Sequence, residues 1–372
     1  MSFELIGTQI LTRTTTRIKI PVSTKKFTVH HTRLHPRRPE ERTDMTTRVL
    51  VTGISGYIGQ HVGAELLRQG YEVVGTVRST SKVDPTRRAI ETVAPVDKLS
   101  FIEADLLSDN GWDDAVAGCT YVMHVASPFI MAAPADENEL ITPAVEGTKR
   151  VIRAAQRAGV ERLVLTSSTV AIIAGKDNGR YGPDAWSDTS AGIGAYSKSK
   201  TLAERAAWEI NRDHAMELTV INPGGVFGPS LGAQPDSASV MMVSDLVNGK
   251  TPMIPDLALG MVDVRDVARL HVTALTATQA AGQRFIAATE EPIEMASLAA
   301  TLKQAGYTKV PSRKAPKFLL QLMSLFNSDV RGMLPLVGKR IYLDNTATFE
   351  VLDWQPTPVE ESITEMAASL PK

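Results

Sequence analysis

The stretch RVLVTGISGYIGQHVGAELLRQG, residues 48 to 70, constrains the fold of this chain more than any other. A β-branched run ends directly in Gly53, two further glycines follow at equal spacing, Gly56 and Gly59, and an amphipathic helical pattern begins at once. A strand that turns so tightly into a helix belongs to a βαβ unit, because the crossover helix has to pack back onto the sheet. The same glycines allow backbone N–H groups at the helix N-terminus to approach a pyrophosphate. With the strand before them, the helix after them and a second strand at βαβ distance, the pattern predicts dinucleotide binding. Gly53, Gly56 and Gly59, with Tyr57 and Ile58 between the last two, are the first expected cofactor contacts.

From residue 48 the chain alternates short β-branched runs with helical stretches, the signature of a parallel sheet covered by helices. Strands are predicted at 48–53, 71–78, 99–106, 120–127, 162–168 and 218–224, with one more at QRFIAA, 283–288. The run at 139–159 reads as a helix with Ile141, Val145, Thr148, Ile152 and Ala155 on one face. After Pro223 the alternation gives way to Gly-, Pro- and Met-containing segments.

Composition narrows the function classes. The 372 residues are 43% hydrophobic and 22% charged with a net charge of -1, so nothing electrostatic points to a nucleic acid partner. No apolar run approaches the roughly 18 residues of a membrane span. The single cysteine, Cys119, excludes an internal disulfide framework and fits a reducing compartment. It reads as a small buried apolar residue, and no metal site is expected. Up to residue 44 the chain carries nine Lys or Arg against four Asp or Glu, so 1–45 reads as a basic, disordered extension. That composition overlaps with transit peptides, while Met45 before TTRVLVTG reads equally as a start. A cytoplasmic location is expected, with organelle targeting or a mis-assigned start left open.

The end of the second strand selects the cofactor. An acid there holds the ribose 2'-hydroxyl of NAD, whereas an arginine accommodates the 2'-phosphate of NADP. This strand ends TVRSTSK, with Arg78 and Lys82 and no acid until Asp84, so NADP(H) is expected.

TGISGYIGQH, with YSKSK far downstream and NPGGVFGPSL after it, resembles the extended short-chain dehydrogenase/reductase superfamily. HVASPF (124–129), PAVEGTKRVIRAA (143–155), LTSST (165–169), AYSKSKTLAERAAW (195–208) and MVDVRDVARLHV (261–272) are similar to its dihydroflavonol reductase-like branch. The resemblance runs from about residue 47 to the C-terminus. It implies an α/β fold, a doubly wound parallel sheet of Rossmann type at 46–224, and a smaller substrate-binding lobe mainly at 225–372, some of whose segments return to the first domain. Further cofactor contacts are implied at Asp105, Leu106, Val125, Ala126, Ser127, Pro223, Gly224 and Val226. Read alone, Asp105 is equally a helix cap.

The chemistry follows from Tyr196. A free phenol has a pKa of about 10, and a fixed ammonium nearby lowers it toward the range of efficient acid–base catalysis. On a helix, i and i+4 share a face while i and i+2 point roughly 200° apart. Lys200 can therefore serve Tyr196, and Lys198 is expected to be solvated. The resemblance makes Ser168 the catalytic serine, and alternation along the strand turns Ser167 the other way. Ser168, Tyr196 and Lys200 are thus the expected catalytic set, acting on an aldehyde or ketone carbonyl, with Tyr196 and Lys200 also touching the cofactor.

Phe129, Val170, Phe227, Met241 and Met242 suggest an apolar substrate pocket, although Phe and Met at such spacing are as readily core. Plant dihydroflavonol reductases carry an asparagine shortly after the serine, where Ile172 and Ile173 stand here. The Trp/Tyr-rich stretch of cinnamoyl-CoA reductases is missing too. The alternatives are a nucleotide-sugar epimerase or dehydratase and a 3β-hydroxysteroid dehydrogenase-like enzyme. A small carbonyl or alcohol substrate is the expected partner, and a homodimer is left open.

Overall fold

The computed structural model describes residues 47–128, 136–232, 237–325 and 334–371. The basic extension and Phe129 lie outside the described residues. Five strands alternate with helices in the first half: β1 (Arg48–Thr52), β2 (Glu72–Val77), β3 (Leu99–Glu103), β4 (Tyr121–His124) and β5 (Arg162–Thr166). The helices are α1 (Tyr57–Arg68), α2 (Val83–Glu91), α3 (Trp112–Val116) and α4 (Asn138–Arg157). Then come α5 (Val170–Ile173), β6 (Gly179–Tyr181), α6 (Gly194–Asn211), β7 (Glu217–Pro223), β8 (Gly225–Phe227), α7 (Ala238–Val247), β9 (Ala258–Leu259), β10 (Met261–Asp263), α8 (Val264–Thr276), β11 (Arg284–Ala287), β12 (Ile293–Glu294), α9 (Met295–Gln304), α10 (Lys317–Met323) and β13 (Ile341–Leu343).

A seven-stranded parallel sheet runs in the order β11-β7-β5-β4-β1-β2-β3. All six strands predicted before residue 224 are in it, and QRFIAA supplies the edge strand β11. Period-2 alternation divides each strand between two cores. Val49 and Val51 join one with α1 and α8, whereas Leu50 joins another with α3, α4 and α6. A sheet buried on both faces explains why its strands read as apolar runs rather than alternating patterns.

The buried face of α4 consists of Leu140, Ala144, Gly147, Thr148, Val151, Ile152, Ala154 and Ala155, leaving Ile141 and Val145 half-buried at its margin. The face is rotated from the predicted one because Gly147 sits over Leu106, where a Cβ would come within 2.8 Å of the Leu106 side chain. Strand order reverses between β1 and β4, and in an open α/β sheet ligands bind at the carboxyl ends of the strands at such a switch point. Among the described residues, no helix is long and apolar enough to cross a membrane.

Candidate active site

The glycine turn closes at the carboxyl end of β1. Gly53 has φ +65, its N–H donates to Thr76 Oγ1 at 3.1 Å, and its carbonyl accepts from Gly56 N–H at 3.0 Å. Each glycine answers a different demand. A Cβ on Gly59 would lie 2.2 Å from the Gly53 carbonyl oxygen, so this glycine lets α1 pack against the turn. A Cβ on Gly56 would meet only that same oxygen, at 3.3 Å, with open space beyond it. Gly56 is also the N-cap of α1, with no side-chain cap and no acid in the first turn. Free N–H groups, the positive end of the helix and a clear approach make this a fitting cradle for a phosphate group.

Tyr57 is buried in the core, and its hydroxyl donates to the Gly228 carbonyl at 2.7 Å. His61 Nε2 bonds to the Pro229 carbonyl at 2.9 Å. These side chains therefore tie α1 to the segment after β8, leaving the backbone of Tyr57 and Ile58 to face a ligand. Burial, and the Asp263 charge next, raise the Tyr57 phenol well above its ordinary value.

Beyond β2, Arg78 and Lys82 are exposed, and neither side chain has a hydrogen-bond or ion-pair partner among the described residues. Ser79 caps the short turn Thr80–Lys82, and Thr80 N–H donates to Glu103 Oε2 at 3.1 Å. Glu103 thus brings an acid beside the strand-2 end from the neighbouring strand, in register with Val77. Asp105 caps its own turn, accepting from Leu107 N–H at 2.9 Å, and Leu106 is buried against α4. The cap of α3 is Gly111, so Asp105 does not serve that helix.

Val125, Ala126 and Ser127 follow β4 and are half-buried. Thr52 Oγ1 bonds to His124 Nδ1 at 2.8 Å and accepts from Ala126 N–H at 3.0 Å, joining the ends of β1 and β4. Pro223 ends β7, and its carbonyl accepts from Thr169 N–H at 2.9 Å. At Gly224 a Cβ would lie 2.2 Å from the Gly260 carbonyl oxygen, whereas Val226 is buried in the core.

The two serines after β5 diverge as strand alternation requires. Ser167 Oγ donates to Glu204 Oε2 at 2.5 Å, while Ser168 Oγ reaches the Pro223 carbonyl at 3.5 Å and accepts from Val170 N–H at 3.3 Å. Tyr196 keeps 41% of its surface open. Desolvation raises its pKa above the ordinary phenol value, with the Ser168 hydroxyl beside it opposing the rise. Here the structure departs from the expectation that Lys200 pulls Tyr196 down. The lysine is itself desolvated, its own pKa lowered to about 8 by burial against the opposing charge of Glu204. In this state Tyr196 is a protonated acid.

A cavity of about 10 Å³, near the size of one water, is lined by Ala126, Ser127, Thr148, Leu165, Thr166, Ser167, Lys200, Ala203 and Glu204. It brings Lys200 and the residues after β4 to one place. A cleft of about 300 Å³ lies elsewhere, lined by Pro183, Asp184, Trp186, Trp208, Gly282, Gln283 and Arg284, and contains none of the expected catalytic set.

Of the expected substrate-facing residues, Val170 and Met241 are half-buried on α5 and α7. Phe227 is fully buried in the core, so its ring is not a cleft wall. Glu204, Asn222 and His124 form the polar floor around Lys200 that sequence reading missed. For Glu204 the available signal was its position one helical turn past Lys200, on the face already assigned to chemistry.

The model of the NAD dependent epimerase/dehydratase family matches residues 49–288. An uncharacterized oxidoreductase of Saccharomyces cerevisiae is 30% identical over 363 residues, covering 88% of this chain and 98% of that protein. The NADPH-dependent methylglyoxal reductase GRE2 of Saccharomyces cerevisiae is 34% identical over 268 residues, 64% of this chain and 77% of that protein. The crystal structure of the yeast methylglyoxal/isovaleraldehyde reductase Gre2 complexed with NADPH superposes with a TM-score of 0.71 at 27% identity, covering 87% of this chain and 98% of that one.

Proposed function

The chain belongs to the NAD dependent epimerase/dehydratase family, and within it we propose that it is an NADPH-dependent reductase of aldehyde or ketone carbonyls, oxidising the alcohol in reverse. The observation that carries this reading is the placement of the Ser168 hydroxyl beside the Tyr196 phenol, with Lys200 one helical turn along α6. Relatives named as NADPH-dependent methylglyoxal reductases favour a small aldehyde or dicarbonyl among the carbonyl substrates.

Bound NADPH supplies a hydride for the carbonyl carbon. The residues that would hold it are the backbone of Gly53 to Gly59 for the pyrophosphate, Arg78 and Lys82 for the 2'-phosphate, and Lys200 for the ribose hydroxyls. Ser168 and Tyr196 both present hydroxyls to a carbonyl oxygen, the position where negative charge develops. Tyr196, held protonated, gives its proton to that oxygen, and Lys200 takes part through the ribose hydroxyls rather than by lowering the phenol. Ile172 is completely buried, so the place of the plant asparagine offers no polar contact here.

The test uses the full-length protein with NADPH or NADH and a panel of methylglyoxal, isovaleraldehyde, benzaldehyde, a flavanonol and a steroid ketone. The expected result is NADPH consumption with the aldehydes, abolished in Tyr196→Phe without loss of NADPH binding. Protein that purifies with tightly held NAD and consumes neither cofactor would instead be an epimerase or dehydratase.

A further inference from the structure

Beyond Lys200 the reacting face of α6 continues to Glu204, which is only 1% exposed. Its Oε1 accepts from Arg284 Nε at 2.5 Å and from Trp208 Nε1 at 3.4 Å. Its Oε2 accepts from Ser167 Oγ at 2.5 Å and from Asn222 Nδ2 at 2.9 Å. Arg284, 9% exposed, donates to the carbonyls of Pro183 and Ala185 and lies 3.9 Å from the Trp186 ring centroid. Burying such a pair is costly, and apolar residues of similar volume usually serve packing as well or better. The pair therefore needs a reason other than stability. Its position supplies one, since Glu204 and Lys200 are one turn apart and line the same small cavity.

We propose that Glu204 is the positioning residue of Lys200: fixed by Arg284 of the edge strand, Ser167 and Asn222, its carboxylate keeps the Lys200 ammonium charged and directed along the reacting face of α6. The proposal rests on the reductase reading for its catalytic consequence.

Few charged or titratable groups face Lys200. Tyr196 and Glu204 share its helix, His124 stands at the end of β4, and Arg284 lies behind Glu204. Thr148 of α4 and Thr166 of β5 line the shared cavity without charge. His124 is neutral, its pKa lowered to about 3 by burial first and by Lys200 second. Burial drives Lys200 toward the neutral amine and the Glu204 charge opposes it. Removing that charge leaves burial unopposed, so the lysine loses its proton at lower pH.

The titration of Lys200 is read in cofactor-free, full-length protein by competitive acetylation with acetic anhydride across a pH series. Mass spectrometry of the tryptic peptides separates Lys200 from Lys198. The variants are Glu204→Gln, Arg284→Gln and the double variant, which removes both charges of the Glu204–Arg284 pair and covers the case in which the first does not fold. The wild-type midpoint is expected near about 8. It should fall by about one pH unit in Glu204→Gln and in the double variant, and should not fall in Arg284→Gln, which keeps the carboxylate. NADPH affinity at pH 8, from fluorescence titration, should drop roughly fivefold in the double variant with a smaller effect at pH 6. A folded double variant with an unchanged Lys200 midpoint overturns the proposal. Shifted midpoints in a protein that turns over no carbonyl with NADPH support the positioning of Lys200 and overturn the reductase reading instead.

Discussion

Lys198 Nζ lies 2.6 Å from Glu137 Oε2, an ion pair that ties the first turns of α6 to the N-cap of α4. The sequence reading has this lysine solvated, and the structure gives it a partner. The two side chains are 24% and 46% exposed, and partly exposed pairs are worth about 0–1 kcal/mol. Lys198→Ala should therefore lower the melting temperature by no more than about 4 °C and keep kcat within about twofold of wild type. Lys200→Ala should remove most turnover. Equal losses in the two variants would defeat the helical-spacing argument that separates them.

Arg78 is exposed and unpartnered among the described residues, which leaves its guanidinium free for an anionic group. A charge-assisted hydrogen bond is worth about 1.5–3 kcal/mol, so Arg78→Ala should cut the preference for NADPH over NADH by roughly 10–100-fold. The loss should fall on kcat/KM for NADPH, with the NADH value little changed. A preference that survives the substitution assigns the discrimination elsewhere.

Three histidines give the fold a defined acid limit. His61, His124 and His271 are at most 3% exposed, and burial is the first cause lowering each, to about 4, about 3 and about 4. The unfolded chain binds a proton at each of these sites below about pH 6.5, whereas the folded chain does not until pH approaches the lowered values. Stability is thus fully present above pH 6.5 and is lost as pH falls toward 4. At pH 5 each site costs roughly 2 kcal/mol. The urea midpoint should be clearly lower at pH 5 than at pH 7, and equal midpoints would show that these imidazoles are not held neutral.

Legibility in the sequence followed the range of the interaction. Most strands of the main sheet are apolar runs of four to seven residues buried on both faces, so that sheet could be placed from pattern alone, although the edge strand β3 keeps Ser100 and Glu103 exposed. The strand pairs β10–β8 and β12–β9 have three residues or fewer per strand, too short for a period to register. Phe227 was ambiguous because a residue on such a strand reads the same in core or pocket. Nothing local marks Glu204 beyond its place one turn past Lys200, and its partner Arg284 is 80 residues away in the sequence. Tyr57 likewise reads as part of the glycine motif, while its hydroxyl partner Gly228 is 171 residues distant. The expected pairing of Tyr196 with Lys200 rests on local helical spacing and Ser168 on the family resemblance, whereas the groups around them come from strands brought together by the sheet and leave no local signal.

The glycine turn allows packing and ligand demands to be separated by experiment. An alanine at Gly59 would force its Cβ to 2.2 Å from the Gly53 carbonyl oxygen and 2.9 Å from Ile54 Cα, both backbone atoms that cannot step aside. Gly59→Ala should therefore destabilise the fold by several kcal/mol, on the scale of an overpacked core site, with or without ligand. At Gly56 the backbone is extended, with φ -82 and ψ 168, which any residue adopts, and the added methyl would meet only one atom at 3.3 Å. Gly56→Ala should melt within a few degrees of wild type, since the turn itself has room for a methyl group. Its NADPH affinity should fall at least tenfold, because the methyl would occupy the approach of the pyrophosphate to the N-terminus of α1. Differential scanning fluorimetry with and without NADPH reads both effects: wild type gains stability on adding NADPH by mass action, and Gly56→Ala should gain far less at the same concentration. If Gly56→Ala keeps the full NADPH-dependent gain, the space above Gly56 is not where the cofactor phosphates lie.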